Sequence, residues 1–400
     1  MKITREFVHR MPKTDLHVHL DGSLRLQTIL DLAEEQGVEL QGNPTNADEL
    51  ADVIKVGAVH DSLAAYLKGF DITLSVLQTE ESLYRAAFEL AEDAAKENQK
   101  YIEVRYSPTL HMEQGLSQPL IVEAVAEGLR EAKRRFGIMS GQILCGIRHM
   151  DPVASLRLAE LCVAFKHKGV VAFDLAGAEY DNPAADFKTS FDLIRKNNVN
   201  LTIHAGEAYG PESIHQAVHV CGAHRIGHGT RLRENGDLLN YFNDHRIPVE
   251  ICLKSNVQTR ACDSIESHPL PFYMSYGLRC TINTDNRLIT DTTMTDEYWT
   301  AVEAYDLNIG DLRKLMINGF KSSFMPYRKK NTVTEQAALE FDNLVREFEE
   351  RTGVPAITNP RLAAEIALQL SSADSTKPLV AKETLLDEAK QVVANAAQEE

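Results

Sequence analysis

Much that would mark a large protein class is missing from this sequence. Its six cysteines, at 145, 162, 221, 252, 262 and 280, form no Cys-x-x-Cys pair. That argues against a thiolate zinc site. Cys145, Cys252 and Cys280 each lie in an apolar, strand-like run and read as buried small hydrophobes of a reducing compartment. No Gly-x-Gly-x-x-Gly follows a strand, and there is no phosphate loop, so nothing supports a dinucleotide or P-loop fold. No hydrophobic run approaches a bilayer span, and Met1-Lys2-Ile3-Thr4-Arg5-Glu6 has no apolar signal core. The expectation is a cytoplasmic protein with no membrane partner. Basic charge is also scarce: 42 Lys and Arg stand against 58 Asp and Glu, a net charge of -16. A phosphate backbone needs a basic face, so nucleic acid is not an expected partner. A small neutral ligand remains open.

What recurs instead is an alternation of short β-rich runs with helical stretches. The expected strands are Lys13–Leu20, Tyr101–Tyr106, Ile143–Met150, Gly169–Leu175, Val199–His204, His224–His228, Ile247–Cys252 and Leu278–Asn283. Their continuously apolar character suits strands covered on both faces. Between them, Glu81–Asn98 sets Leu83, Ala87, Leu90, Ala91 and Ala94 on one stripe, Pro119 opens a helix, and Pro211–Gly222 ends another on glycine. Thr295 or Asp296 is the expected cap of a later helix, and Gly310-Asp311 opens the next. Eight strands alternating with helices predict an α/β fold, a (β/α)8 TIM barrel; an open doubly wound sheet is the alternative. The barrel is assigned to residues 1–330. Within it, residues 23–100 form a helical insertion over the carboxyl end, where lids sit. Residues 331–400 form a helical appendix packed on the barrel.

Four polar clusters fall at the carboxyl ends of these strands. The first is Asp15-Leu16-His17-Val18-His19-Leu20-Asp21-Gly22, in which His17 and His19 share one face of a strand. The others are His204-Ala205-Gly206-Glu207, Arg225-Ile226-Gly227-His228-Gly229 and Asn283-Thr284-Asp285-Asn286. Each alone has a plain reading: His204 and Glu207 as caps of the helix near Pro211, His228 as a turn residue, Asp285 as a turn closer. Barrel enzymes build their sites from several strand ends at that one face, which favours a common site. Zinc takes neutral imidazoles and a carboxylate and leaves a position for water. His17, His19, His204 and Asp285 supply three nitrogens and one oxygen. Water held by such a metal titrates near neutrality. Glu207 is placed to exchange a proton with substrate, and His228 to take the water's proton.

These pieces resemble the adenosine deaminase family of the metal-dependent amidohydrolase superfamily. His-Val-His-Leu-Asp-Gly, Asp174-Leu175-Ala176-Gly177, His-Ala-Gly-Glu, Ile-Gly-His-Gly, Ser255-Asn256 and Asn-Thr-Asp occur in family order, from residue 12 to about 290. The resemblance implies one zinc per subunit on His17, His19, His204 and Asp285. It implies that Glu207 protonates purine N1 and that His228 serves the hydroxide that attacks C6, with ammonia leaving. It places His19, Asp21, Gly177 and Asn286 against substrate: the Gly177 backbone at the purine and Asp21 near a ribose hydroxyl. The family usually carries a second aspartate, then proline, after the metal aspartate. Here Asn286 and Arg287 stand there. An asparagine amide can still donate to purine N7.

The implied partner is a small purine nucleoside, with adenosine and 2′-deoxyadenosine first. Free adenine or another 6-aminopurine nucleoside comes second. AMP is disfavoured if Asp21 faces the 5′ group, unless Arg25, Arg105 or Arg287 turns inward. The end of the fourth strand has no lysine for a bridged two-metal site. The Pro-Cys-x-x-Cys element of cytidine-type deaminases is absent. A non-catalytic purine-binding zinc barrel is the remaining alternative, and monomer and homodimer are both open.

Overall fold

The computed structural model describes residues 2–353; the part of the expected appendix from 354 onward lies outside them. Eight parallel strands form one sheet in sequence order: β1 Lys13–His19, β2 Gln99–Tyr106, β3 Met139–Ile147, β4 Val170–Ala176, β5 Asn200–Ala205, β6 Arg225–His228, β7 Val249–Ile251 and β8 Cys280–Ile282. The order β1 to β8 without a jump is that of a barrel, not of a doubly wound sheet. Closure comes just past β8: the His19 amide donates to the Asp285 carbonyl at 2.7 Å, and the Asp285 amide to the His17 carbonyl at 2.8 Å. The bonds that close the barrel therefore lock two of the polar clusters together.

Alternation sorts the strand residues. Leu16, Val18, Ile102, Val104, Leu201 and Ile203 are buried in the apolar core. The intervening residues Asp15, His17, Glu103 and Arg105 are also fully buried, and the last two meet partners across the barrel. Arg105 reaches Asp174 at 2.9 Å and Glu250 at 3.0 Å, while Arg225 reaches Glu250 at 2.5 Å and Glu103 at 2.6 Å. Charges from β2, β4, β6 and β7 thus fill the barrel axis beneath the clusters. Buried ions persist only when paired in this way.

The helices follow the apolar stripes. The helix Glu80–Lys96 opens on a capping box of Thr79 and Ser82 and buries Leu83, Ala87, Leu90, Ala91 and Ala94. Before it, the chain after β1 forms helices at Leu26–Gln36, Ala47–Ile54, Leu63–Tyr66 and Phe70–Val76. Tyr66 ties this segment to the turn after β8, its hydroxyl 2.8 Å from Thr290 Oγ1. One cap differs from expectation: Thr293, not Thr295 or Asp296, caps the helix Met294–Tyr305, its oxygen accepting from the Asp296 amide. The next helix, Ile309–Ser322, opens one residue earlier, on an Asn308–Asp311 capping box. The helix expected over Pro211–Gly222 is α-helical only to His215 and widens to a π turn over Gln216–Val220. The helix Tyr327–Thr352 packs on the barrel's amino end, where Phe341 and Phe348 meet Phe7 edge-on at 5.5 and 5.2 Å. All six cysteines are free and buried. Among the described residues, no helix is long and apolar enough to cross a membrane.

Candidate active site

The strand ends bring the predicted groups together. His17 Nε2 lies 3.4 Å from Asp285 Oδ1, His19 Nε2 lies 3.3 Å from the same oxygen, and His19 Nε2 lies 3.2 Å from His204 Nε2. His228 joins them: ligand-type atoms of His17, His204, His228 and Asp285 all fall within 4.8 Å of one another. His19 lies outside that set of four but touches His204 and Asp285, so five candidate ligands border one centre.

Backbone shape puts them there. His228 and Asp285 both have left-handed φ, 63° and 61°. Non-glycine residues rarely adopt such angles outside sites that need them. Gly227 explains the gap in Ile-Gly-His: a Cβ there would sit 2.9 Å from His17 Cε1. Only glycine lets the His17 ring lie across β6. Gly22 has a similar reason, since a Cβ would fall 2.0 Å from Asn286 Oδ1.

The rings are oriented from behind. His17 Nδ1 is 2.8 Å from Glu250 Oε2, and His204 Nδ1 is 3.0 Å from Asp174 Oδ2. Burial opposes ionisation of both acids, but arginine and histidine partners hold them well below the usual carboxylate range. An ionised carboxylate accepts only, so each ring places its proton on Nδ1 and turns the Nε2 lone pair inward. His17 Nε2 is buried with no hydrogen-bond partner. Asp285 turns its Oδ1 to His17 and His19. Ser255 Oγ donates to its other oxygen at 2.6 Å. Inward lone pairs, an orphaned nitrogen and a carboxylate oxygen are a donor set that fits a divalent cation.

Glu207 borders this centre, its Oε2 3.6 Å from His228 Nε2. Burial, reinforced by the charges of Asp285 and Glu179, pushes its carboxyl up to about 8. It is therefore protonated at neutral pH and can act as an acid. Neither Glu207 nor His204 caps the following helix; Gly210 occupies that position without a side-chain bond. Asp21 is buried, with Oδ1 unpartnered, and burial raises its carboxyl to about 7. Asn286 Oδ1 is likewise buried without a partner. Gly177 ends β4 with φ of 94°.

Several supporting residues were not singled out from the sequence. Glu250 and Glu103 were legible as lone acids inside apolar strands. Glu179 carried no such signal. Its carboxylate accepts the amides of Gly206, Glu207, Ala208 and Tyr209 at 2.6 to 3.0 Å, which fastens the loop bearing Glu207. His268 and Tyr66 come from distant segments and were equally silent.

Comparison with known proteins agrees with this geometry. A family model described as adenosine deaminase matches residues 12–338. An adenosine deaminase of Mycobacterium sp. (strain JLS) is 41% identical over 342 residues, covering 82% of this chain and 94% of that protein. A probable adenosine deaminase of Dictyostelium discoideum is 39% identical over 325 residues; the match takes in 81% of this chain but only 42% of that longer protein. Among solved structures, an adenine deaminase from Arthrobacter aurescens superposes with a TM-score of 0.77 at 26% identity, covering 83% of this chain and 99% of that one. A match over most of the chain, at this identity and with this constellation in place, makes the protein a member of the adenosine deaminase family of metal-dependent hydrolytic deaminases.

Proposed function

We propose that the protein hydrolyses adenosine and 2′-deoxyadenosine to inosine and 2′-deoxyinosine with release of ammonia, using one zinc ion per subunit. The observation that carries this reading is a buried carboxyl, Glu207, beside a cluster of inward-facing metal-ligand atoms. A purely structural metal has no use for such an acid. His17, His19, His204 and Asp285 would hold the ion. Bound there, it supplies a Lewis acid that brings the pKa of a water toward neutrality.

The remaining steps belong to the chain. Glu207 donates its proton to purine N1, which makes C6 more electrophilic and lets the exocyclic nitrogen leave as ammonia. Asp21 and Asn286 carry the unpartnered buried oxygens that can bind substrate donors, or, with the Asn286 amide turned, reach N7. The Gly177 backbone faces the purine in this reading.

The arginines bear on the 5′ group. Arg25 is committed to Glu92 and Asp93, Arg105 to Asp174 and Glu250, and Arg287 to Glu97. Arg287 keeps a buried Nη1 without a partner, whereas an ionised Asp21 would repel a 5′-phosphate. This favours a nucleoside over a nucleotide. Asn286 in place of the usual acid bears on the base and not on the ribose, so it keeps the second reading, free adenine or another 6-aminopurine nucleoside, beside the first.

An ammonia-release screen of 6-aminopurines with the zinc-loaded protein separates the readings. Adenosine and 2′-deoxyadenosine are expected to exceed adenine and AMP in kcat/KM by at least ~10²-fold, because a site built around ribose hydroxyls leaves polar groups unpaired without them. Turnover of adenine above adenosine would establish the second reading. No ammonia from any 6-aminopurine would remove the enzymatic one.

A further inference from the structure

The hydrogen bonds behind His228 run in the opposite sense from those behind His17 and His204. The chain of donors starts at a backbone amide, whose direction cannot be reversed. The Leu270 N–H donates to His268 Nδ1 at 3.0 Å. That nitrogen is therefore unprotonated, and neutral His268 carries its proton on Nε2. Burial reinforces this by holding the His268 ring neutral. His268 Nε2 lies 3.1 Å from Asn256 Oδ1 and donates to it. With its oxygen so engaged, the Asn256 amide can turn only its N–H outward. Asn256 Nδ2 lies 2.9 Å from His228 Nδ1. His228 Nδ1 must accept, so the ring's proton sits on Nε2. That atom is buried, has no partner, and points at the site, 3.6 Å from Glu207 Oε2.

We infer that Asn256 and His268 are positioning residues that fix the tautomer of His228, and that His228 acts on the attacking water as a hydrogen-bond donor through Nε2–H, not as the base that takes its proton. The inference rests on the deaminase reading only for the word water; the tautomer itself does not depend on it. Two consequences follow. A protonated Nε2 offers no lone pair to a metal. Of the five groups around the centre, His228 is then the one that does not ligate, which leaves His17, His19, His204 and Asp285. As a donor, His228 holds the oxygen on its path and stabilises negative charge that develops on it. The proton leaving the water passes to Glu207, whose carboxylate is freed when it protonates N1 and lies 3.6 Å from His228 Nε2.

The test uses the metal-free, 15N-labelled full chain and long-range 1H–15N correlation, with the His228 signals identified by their loss in H228Q. The expected result is a proton on Nε2 of His228. In N256D an oxygen faces both rings, and the expected tautomer inverts to Nδ1–H. With adenosine and the zinc-loaded protein, N256D is expected to lose at least ~10²-fold in kcat with KM within about threefold, the pattern of a wrong tautomer and not of a lost contact. H228Q keeps a donor near the position of Nε2–H and is expected to exceed H228A by at least ~10-fold, whereas a base role gives glutamine no advantage. An Nδ1–H signal in the wild type, or H228Q no better than H228A, overturns the inference. A wild type that releases no ammonia from adenosine sinks the deaminase reading instead, and the NMR result then decides the tautomer alone.

Discussion

Two layers of the same barrel, one directly above the other, treat polar groups in opposite ways. In the lower layer Glu103, Arg105, Asp174, Arg225 and Glu250 each have at least two polar partners. Glu250 alone meets Arg105, Arg225, His17 and Thr202. In the upper layer His17 Nε2, His228 Nε2, Asp21 Oδ1 and Asn286 Oδ1 are buried and unpartnered. Both layers are buried, and an unpaired polar atom is costly in either. The lower layer pairs every charged group, with only Arg105 Nε left over among these five residues, and so holds the barrel together. In the proposed function, the upper layer leaves its pairing to be completed by a metal and a substrate.

The first way to break this contrast is to injure the lower layer. R225M removes the cation shared by Glu103 and Glu250 and leaves two buried carboxylates short of a partner. It is expected to cost about 3–5 kcal/mol of stability, read as a lowered denaturation midpoint. A loss below 1 kcal/mol would mean that the lower layer is dispensable.

The upper layer should behave in reverse. E207Q is expected to cut turnover by at least ~10²-fold while zinc stays bound and the fold is no weaker. The sign follows from the raised carboxyl. A group held at about 8 in the folded chain, against an ordinary 4.5, binds its proton more tightly when folded. Its contribution to stability therefore falls as pH rises from 4.5 through 8. E207Q is expected to equal or exceed the wild type in stability at pH 8 and above. For the same reason kcat, which needs the protonated form, should decline as pH rises through about 8. A pH–rate profile flat across that range would remove Glu207 from the acid role.

H17A sits between the layers, since its ring joins Glu250 below to the cluster above. Elemental analysis is expected to show less than one zinc per chain; full occupancy would mean His17 is not a ligand. The smallest effect is expected from N286D, which restores the acid usual in the family. It should change the ranking of 6-aminopurines by a few-fold, as the gain or loss of one hydrogen bond does. An unchanged ranking over a substrate panel would place the Asn286 side chain away from the purine.

The upper layer was far more legible in the sequence than the lower. His17, His19, His204, Glu207, His228 and Asp285 stand out because imidazoles and acids at strand ends are poor core material. The stripe of Glu80–Lys96 was legible because one helical face is apolar. The lower layer is written as single charged residues inside apolar strands, and Arg225 was read only as part of a motif. Pairing across four strands has no local signature. Thr293 went unread as a cap because Thr295 and Asp296 offer the same chemistry two residues later.

The sequence by itself determined the strand count and the family, and it singled out the side chains proposed to carry the chemistry, because these depend on residue type, spacing and the alternation of faces. Only the tertiary structure decided how the rings are protonated. The tautomer of each histidine is set by what stands behind it: Glu250 for His17, Asp174 for His204, and for His228 an amide oriented by His268. Those partners lie 12 to 233 residues away in the chain, and a hydrogen bond acts only across about 3 Å of space.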